Sequence, residues 1–512
     1  MPKCLAPLCL LLLISLGAGP ASLPARNGAA AAPGPAGPVK VVTEQKAIGP
    51  IDLLIDFPTF STDVNHVAAL GRRDNKRFVI VDGHESPPYE WVIPTSLEFS
   101  PIGSRLAYVV QTADQTQAVI DGKPEKGHYA IVANHVFWSA DGKHYAYGVQ
   151  YKDAGGAVVV DGAEGPRFDE VKVPVLSNHS GRIAYAARRG KKQFAVIDGK
   201  EGAAYDAVDK LIFSPDDKHL AYAATLNGKE MLVMDGQEGN PYERIVLGPG
   251  FSANGARLIA IVGRNKKTIV LVNGRESKPY DAIIARDFRL SPDGRRLGYG
   301  VRDGGKQFVV IDGKSHGPYE ELVFDSVTFS PDSKRVVWGA GSAQSRSMIV
   351  DDKPQKSYDA FLPGGPIFSP DSRHVAYGAR SDGRWGIVMD GVAGKFYEAV
   401  MPPIFSPDSR HMAYRAAFNG KFLVVNDGVE SEPSDIIGRL TYSPDSRHLL
   451  YLRMSGKVDW LMVDGKRAAG PFTPASTDMR IVFDSNASAH FTADIDGVLT
   501  KVIVGLEGNT AK

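Results

Sequence analysis

The stretch FSPDSRHVAYG occupies residues 368–378. Its first seven letters return unchanged at 405–411, and YSPDSRH follows at 442–448. Each copy holds a serine, an aspartate and a histidine, the side-chain set of a hydrolase triad. The fold turns on whether this is chemistry written three times or punctuation in a repeat. Aligning F-S-x-D along the chain gives Phe60, Phe99, Trp138, Leu176, Phe213, Phe251, Leu290, Phe329, Phe368, Phe405 and Tyr442, with a degenerate twelfth copy at Phe483. Successive copies lie 37 to 41 residues apart. A period this steady marks a repeat architecture.

A second marker keeps the same period. Asp-Gly or a close variant ends an apolar run at Asp82, Asp121, Asp161, Asp198, Asp235, Asn273, Asp312, Asp351, Asp390, Asp427 and Asp464. An aromatic follows about seven residues later, often beside an acid, as in Tyr205-Asp206 and Tyr242-Glu243. The unit at 211–248 shows how one copy folds. LIFS reads as a short strand and SPDD as a turn, because proline presets φ and Ser and Asp bond the local backbone. HLAYAAT reads as a second strand, LNGK as a hairpin turn with its Asn-Gly signal, and MLVMD as a third strand. GQEGNP reads as a loop and YERIVL as a fourth strand. The second and third runs are almost continuously apolar, which predicts burial on both faces.

Sheets of four short antiparallel strands, repeated about twelve times, predict an all-β protein of propeller type. Twelve units exceed the usual four to eight blades. Two six-bladed rings satisfy that range and are slightly favoured. One twelve-bladed ring better explains the absence of a linker near the alternative split at 275–290.

The repeat excludes triad chemistry. The slot before the second strand holds histidine in some units (His66, His144, His219, His374, His411, His448, His490) and arginine in others (Arg105, Arg182, Arg257, Arg296, Arg335). A catalytic base does not alternate with arginine, and triads are recognised by convergent geometry, not composition. No catalytic residue is assigned.

The phrase F-S-P-D-G/S-x-R/H-L/V-A-Y, seen best in LSPDGRRLGYG (290–300), FSPDSKRVVWG (329–339) and FSPDSRHMAYR (405–415), resembles the repeat of TolB-type, WD-like β-propellers of bacterial envelope proteins. The resemblance covers roughly residues 50–505. It implies a propeller fold, whereas such repeats serve binding proteins, lyases and peptidases alike. Two departures matter. Nothing here corresponds to the α/β domain that precedes the TolB propeller. No G-x-S-x-G elbow accompanies the repeats, as it would in a prolyl-oligopeptidase relative.

Residues 1–21 carry Lys3, an apolar run from Leu5 to Leu16, and small residues at Gly19 and Ala21. They read as a signal peptide cut after Ala21, which predicts a periplasmic or secreted protein with no membrane span after cleavage. Residues 22–48 begin SLPARNGAAAAPGPAGP and read as a disordered Ala/Pro/Gly-rich linker, with the repeat region at 49–512. Both cysteines, Cys4 and Cys9, fall in the leader, so the mature chain has neither disulfide nor thiol chemistry. Removing Lys3 leaves 58 basic and 58 acidic residues. Nucleic-acid binding, which shows as a basic excess, is not expected.

Departures from the repeat are the candidate sites. After the second-strand aromatic most units carry a small or apolar residue, such as Ala186, Gly300 or Gly378, but one carries Arg415 and the next carries Arg453 one step later. An arginine there needs an anion, a wet channel or a neighbouring acid. Arg415 and Arg453 are the candidate ligand-binding residues, with a local ion pair the plainer account. The tyrosines Tyr108, Tyr185, Tyr222, Tyr377 and Tyr414 read as inter-repeat packing. Histidines outside the repeat slot (His84, His128, His135, His179, His316) are scattered, and neither a metal nor a cofactor is assigned. The functional expectation is an exported binding or interaction module for a protein or glycan. The alternative is a propeller lyase or hydrolase of anionic glycans. Finally, GPIDLLIDF (49–57) aligns with GPYEELVFD (317–325), so residues 51–56 are expected to complete a sheet formed elsewhere in the chain.

Overall fold

In a computed structural model, residues 40–50, 59–62, 65–342, 344–456, 458–474, 481–496 and 498–507 are described. The leader at 1–21, most of the linker and the expected strand at 51–56 lie outside these residues. Among the described residues there is no α-helix, only two short 3₁₀ turns at Pro94–Ser96 and Val132–Asn134. No helix there is long and apolar enough to cross a membrane.

The strands form eleven antiparallel sheets among the described residues, ten of them one per sequence repeat. Repeats are numbered here from Phe60 (repeat 1) to Phe483 (repeat 12). Repeat 5 shows the pattern. Strand a (Ala207–Phe213), strand b (Leu220–Leu226), strand c (Lys229–Met234) and strand d (Gln237–Glu238) pair in chain order as a meander. The eleventh sheet joins repeats 11 and 12, because Lys466–Pro474 pairs with Val458–Val463 on one side and Ser488–Ile495 on the other.

The strand phase differs from the sequence expectation in one respect. The Gly-rich segment after Asp-Gly, read as a loop, is strand d. In repeat 4 it runs over Lys200–Tyr205 beside Lys192–Ile197. In repeat 5 the bridge from Glu230 to Tyr242 carries it to the same aromatic. The segment after that aromatic does not finish its own sheet. YERIVL enters Arg244–Phe251, which pairs with strand b of repeat 6. Strand d was missed because it is an exposed edge of glycine and charged residues with no apolar alternation to mark it.

Strand a is interrupted by a bulge. Asp209 faces Ala223 and Ile212 faces Ala221, with Lys210 at φ 57° between them. Extra residues in one strand force this kink, and prolines such as Pro94, Pro174 and Pro402 occupy it in other repeats, where a missing N–H breaks no ladder bond.

The expectation of two-faced burial holds. Leu220, Tyr222 and Ala224 pack toward Ala184 and Ala186 of repeat 4, while Ala221 and Ala223 pack toward Phe251, Leu258 and Ala260 of repeat 6. Each buried leucine or phenylalanine among them, such as Leu220 or Phe251, contributes roughly 1.5–3 kcal/mol. The core is thus a series of inter-sheet layers, each built by two neighbouring repeats.

Residues 40–48, expected in the linker, belong to the strand Lys40–Pro50. It pairs over its whole length with Val498–Glu507, from Lys40 opposite Glu507 to Pro50 opposite Val498. The run KVVTEQKAI carries three consecutive β-branched residues, Val41, Val42 and Thr43, and its Ala/Pro/Gly-rich neighbour masked that signal.

Candidate functional site

The Ser-Pro-Asp turns are built from side chains that face the backbone. Ser369 is fully buried. Its hydroxyl donates to Asp371 Oδ1 at 2.6 Å and accepts from the His374 N–H at 2.9 Å. The imidazole looks elsewhere: His374 Nδ1 lies 2.6 Å from Asp390 Oδ2 of the Asp-Gly turn, whose Oδ1 accepts from the Val375 N–H. The same contacts recur around Ser406 and Ser443. Serine and imidazole are therefore not bonded to each other, and no nucleophile–base pair exists in these turns. The arginine of other repeats does the histidine's work. Arg335 Nε reaches Asp351 at 2.8 Å, and its Nη1 donates to the Arg373 carbonyl of the next repeat.

The repeated tyrosines are packing groups. Tyr108, Tyr185, Tyr222, Tyr377 and Tyr414 are all at most 5% exposed. Tyr205–Tyr222 and Tyr397–Tyr414 meet edge to face at about 6 Å. The aromatic that ends strand d also carries a link to the following repeat: Tyr205, Tyr242 and Tyr397 donate to Glu238, Glu276 and Glu430 at 2.7–2.8 Å. His128 occupies that aromatic slot, and its Nε2 lies 3.2 Å from Glu164.

Along the strand-a edge, opposite charges meet between neighbouring repeats. His135 Nε2 lies 2.9 Å from Glu98, Lys172 Nζ lies 2.5 Å from Asp209, and Arg289 Nη2 lies 3.3 Å from Asp325. Arg415 breaks this pattern. It is half-buried, and its Nη1 donates to the Ile437 carbonyl at 2.8 Å. Burial first, and the neighbouring Arg439 second, pull its pKa below the ordinary arginine value. Arg453 Nη2 donates to the Pro433 carbonyl at 2.9 Å. The two sequence-flagged arginines therefore grip one segment, which passes from strand d of repeat 10 to strand a of repeat 11. Their acceptors are separated by four residues, about 13 Å in extended chain. They share a segment without converging on one point.

One position on the strand-a side carries a buried acid. Ser96 Oγ accepts from the Val109 N–H and Ser326 Oγ from the Gly339 N–H, each at 2.8 Å. Repeat 7 has Asp287 in that serine slot, fully buried. Its Oδ1 accepts from the Ser326 N–H at 3.2 Å, while its Oδ2 is buried with no hydrogen-bond partner. Burial pushes its pKa up to about 6, with Asp325 adding to the rise and Arg289 opposing it.

Three other departures from the repeat come together. The residue four after the turn Asp (or Asn273) is glycine in four repeats and serine in three, with Glu125, Gln355, Ala468 and, in repeat 7, His316 once each. The strand-b aromatic is tyrosine in eight repeats and Trp338 in repeat 8. The turn glycine becomes Asp352 in repeat 8, held at φ 65°, where ten other repeats have glycine at φ 75–85°. His316 Nδ1 lies 2.8 Å from Asp352 Oδ1, and the His316 and Trp338 rings are 5.0 Å apart. All three line a cavity of about 370 Å³ between repeats 7 and 8, together with Arg296, Lys314 and Lys334. Asp352 takes the left-handed conformation that glycine has in the other repeats, and aspartate is one of the few residues that tolerates it. His316 stood out in the sequence as a histidine outside the repeat slot. What the sequence did not show was that Trp338 and Asp352 are beside it. Among the described residues no group of three or more His, Cys, Asp or Glu is arranged to hold a metal ion.

Comparison with known proteins gives distant structural likenesses only. No protein-family model matches the chain, and no curated protein matches it. A eukaryotic initiation factor is 13% identical with a TM-score of 0.33, covering 70% of this chain and 96% of its own. TolB from Acinetobacter baumannii is 15% identical with a TM-score of 0.22, covering 51% and 77%. KlHsv2 with loop 6CD replaced by a Gly-Ser linker is 12% identical with a TM-score of 0.26, covering 58% and 97%. The chain is an all-β protein of many four-stranded antiparallel sheets in propeller-like repeats.

Proposed function

We propose that this chain is an exported β-propeller binding module with a TolB-like repeat, and that its ligand sits in the cavity between repeats 7 and 8. Twelve repeats close into a single ring in this reading. The pairing of residues 40–50 with 498–507 supports closure, because it covers an edge that would otherwise invite association. So does Lys501 of repeat 12, whose ammonium donates to Asn65 Oδ1 of repeat 1 at 2.5 Å. Two six-membered rings would ask for a strand beside residues 251–273 instead.

The observation that carries the binding assignment is the convergence of His316, Trp338 and Asp352 on one concavity. In a repeat protein each position has a default residue chosen for packing. Three departures from the repeat meet at one cavity, where they touch one another and leave a concavity that a small ligand fits. The His316–Asp352 pair is also the feature a catalytic role would use.

The test replaces each residue by the one other repeats carry, His316→Ser, Trp338→Tyr and Asp352→Gly. These changes leave the fold its own default side chains. A panel of sugars, amino acids, short peptides and nucleotides is screened by thermal shift. At least one class should raise the melting point of the original protein, leave the triple variant unmoved and be recovered unchanged. Release of product would turn the assignment to an enzyme. A panel that shifts both proteins alike, or neither, rejects the reading.

A further inference from the structure

The chemistry of the ligand follows from which cavity groups are already committed. Asp312 and Asp351 are held by the strand-capping role that this turn residue has in repeats 1 to 11. Their Oδ1 atoms accept from the Leu297 and Val336 N–H groups, and their Oδ2 atoms meet Arg296 and Arg335 at 2.8–2.9 Å. Arg296 further donates to the Lys334 carbonyl at 2.6 Å. These groups have little left to offer a ligand.

Asp352 is engaged with His316. In the neutral imidazole, a carboxylate at Nδ1 holds the proton on that nitrogen and leaves Nε2 as the acceptor. Lys314 has no ion-pair partner among the described residues, and Lys334 has only a loose one, Asp332 at 3.7 Å. The remaining wall is apolar: Ile311, Val336 and Trp338, each at most 6% exposed.

The uncommitted set is therefore two ammonium groups, one imidazole acceptor and a thin apolar wall. An anion alone would leave the acceptor and the wall unused. An aromatic acid carries no ring hydroxyl and would leave the imidazole acceptor unused. A small ring with hydroxyls on its edge, an apolar face and one carboxylate uses all three. The volume suits it, since about 370 Å³ is near the lower bound for small-molecule sites.

We propose that this cavity binds a sugar acid. Its carboxylate lies between Lys314 and Lys334, a ring hydroxyl donates to His316 Nε2, and an apolar edge of the ring meets the narrow strip of Ile311, Val336 and Trp338 that reaches the cavity. The proposal rests on the binding-module reading and adds the ligand class to it.

The experiment is titration calorimetry of the full mature chain with four probes: sodium glucuronate, glucose, inorganic phosphate and benzoate. Glucuronate should bind, with glucose and phosphate each at least about tenfold weaker, the scale of a lost charge-assisted hydrogen bond. Lys314→Ser and Lys334→Ser should each weaken glucuronate by a similar factor and leave glucose unchanged, and added salt should weaken glucuronate alone. His316→Ser should remove binding of both sugars. Glucose binding as tightly as glucuronate, with both lost in His316→Ser, would overturn the acid assignment and leave the cavity standing as a neutral-sugar site. Phosphate or benzoate matching glucuronate would overturn the sugar ring, and so would no binding of any probe. Binding that ignores His316→Ser and Asp352→Gly altogether would remove the cavity as the site.

Discussion

Asp287→Ser tests the packing argument most sharply. In the native protein a carboxylate is fully buried beside Gly300, with one oxygen bonded to the Ser326 N–H and the other unpartnered. A Cβ at Gly300 would come within 3.3 Å of that second oxygen, so the glycine leaves room for the acid. The folded-state pKa of about 6 lies above the ordinary 3.8. The folded protein thus holds a proton that the unfolded chain has released across this interval. Stability contributed by the protonated form is fully present below about pH 4 and is lost as pH rises through about 6. The gap between the two values corresponds to about 3 kcal/mol. Serine in this slot removes the titrating group and supplies the hydroxyl that Ser96 and Ser326 use toward the Val109 and Gly339 N–H groups.

The assay compares melting curves of the original chain and Asp287→Ser at half-unit steps from pH 4 to pH 8. Other carboxylates cancel in the difference, including Asp459, also raised to about 6 by burial, and Glu164, held at about 2 by its bonds to Lys126 and Tyr151. The variant should gain on the original as pH rises, most steeply between 4.5 and 6.5, and be clearly the more stable at pH 8. Parallel curves across the range, or a variant that loses ground as pH rises, would refute the assignment of an uncompensated buried carboxyl.

Three further outcomes follow from the geometry. Ser369→Ala strips the His374 N–H of its acceptor and should lower stability by about 1–2 kcal/mol; an active-serine probe should leave Ser369, Ser406 and Ser443 unlabelled, and labelling of any of them would reopen the triad reading. Asp352→Gly removes the Nδ1 partner of His316 and should abolish cavity binding while moving stability by no more than about 1 kcal/mol, the scale of one such pair, an outcome read by paired melting and titration. Deleting residues 39–50 uncovers strand 498–507 and should lower the melting point and produce oligomers on a sizing column; a monomer with an unchanged midpoint would show that this pairing contributes nothing.

The period, the all-β class and the role of the Ser-Pro-Asp turns were legible in the sequence because they rest on local chemistry. Asp-Gly takes two consecutive left-handed residues, as at Asp390 and Gly391, and the His/Arg exchange reports a capping contact that either side chain makes. Two-faced burial was legible as well, since strands b and c lack polar alternation. Strand d was not legible: KEGAAY and GQEGNP are edge segments whose only strand-defining partner is the ladder of strand c. Nor was the strand at 40–50, whose partner lies more than four hundred residues away. The arginines illustrate the same divide. Their departure from the repeat was visible, but that Arg415 and Arg453 hold two carbonyls of one crossing segment depends on how repeats 10 and 11 stack. His316, Trp338 and Asp352 each break the repeat at a different phase of it. Sequence alone ranks such breaks one at a time, because neighbouring repeats carry no local signal of which side chains will face each other. Only the stacking of sheet on sheet, set by the interlocking of their buried faces, brings the three to one cavity.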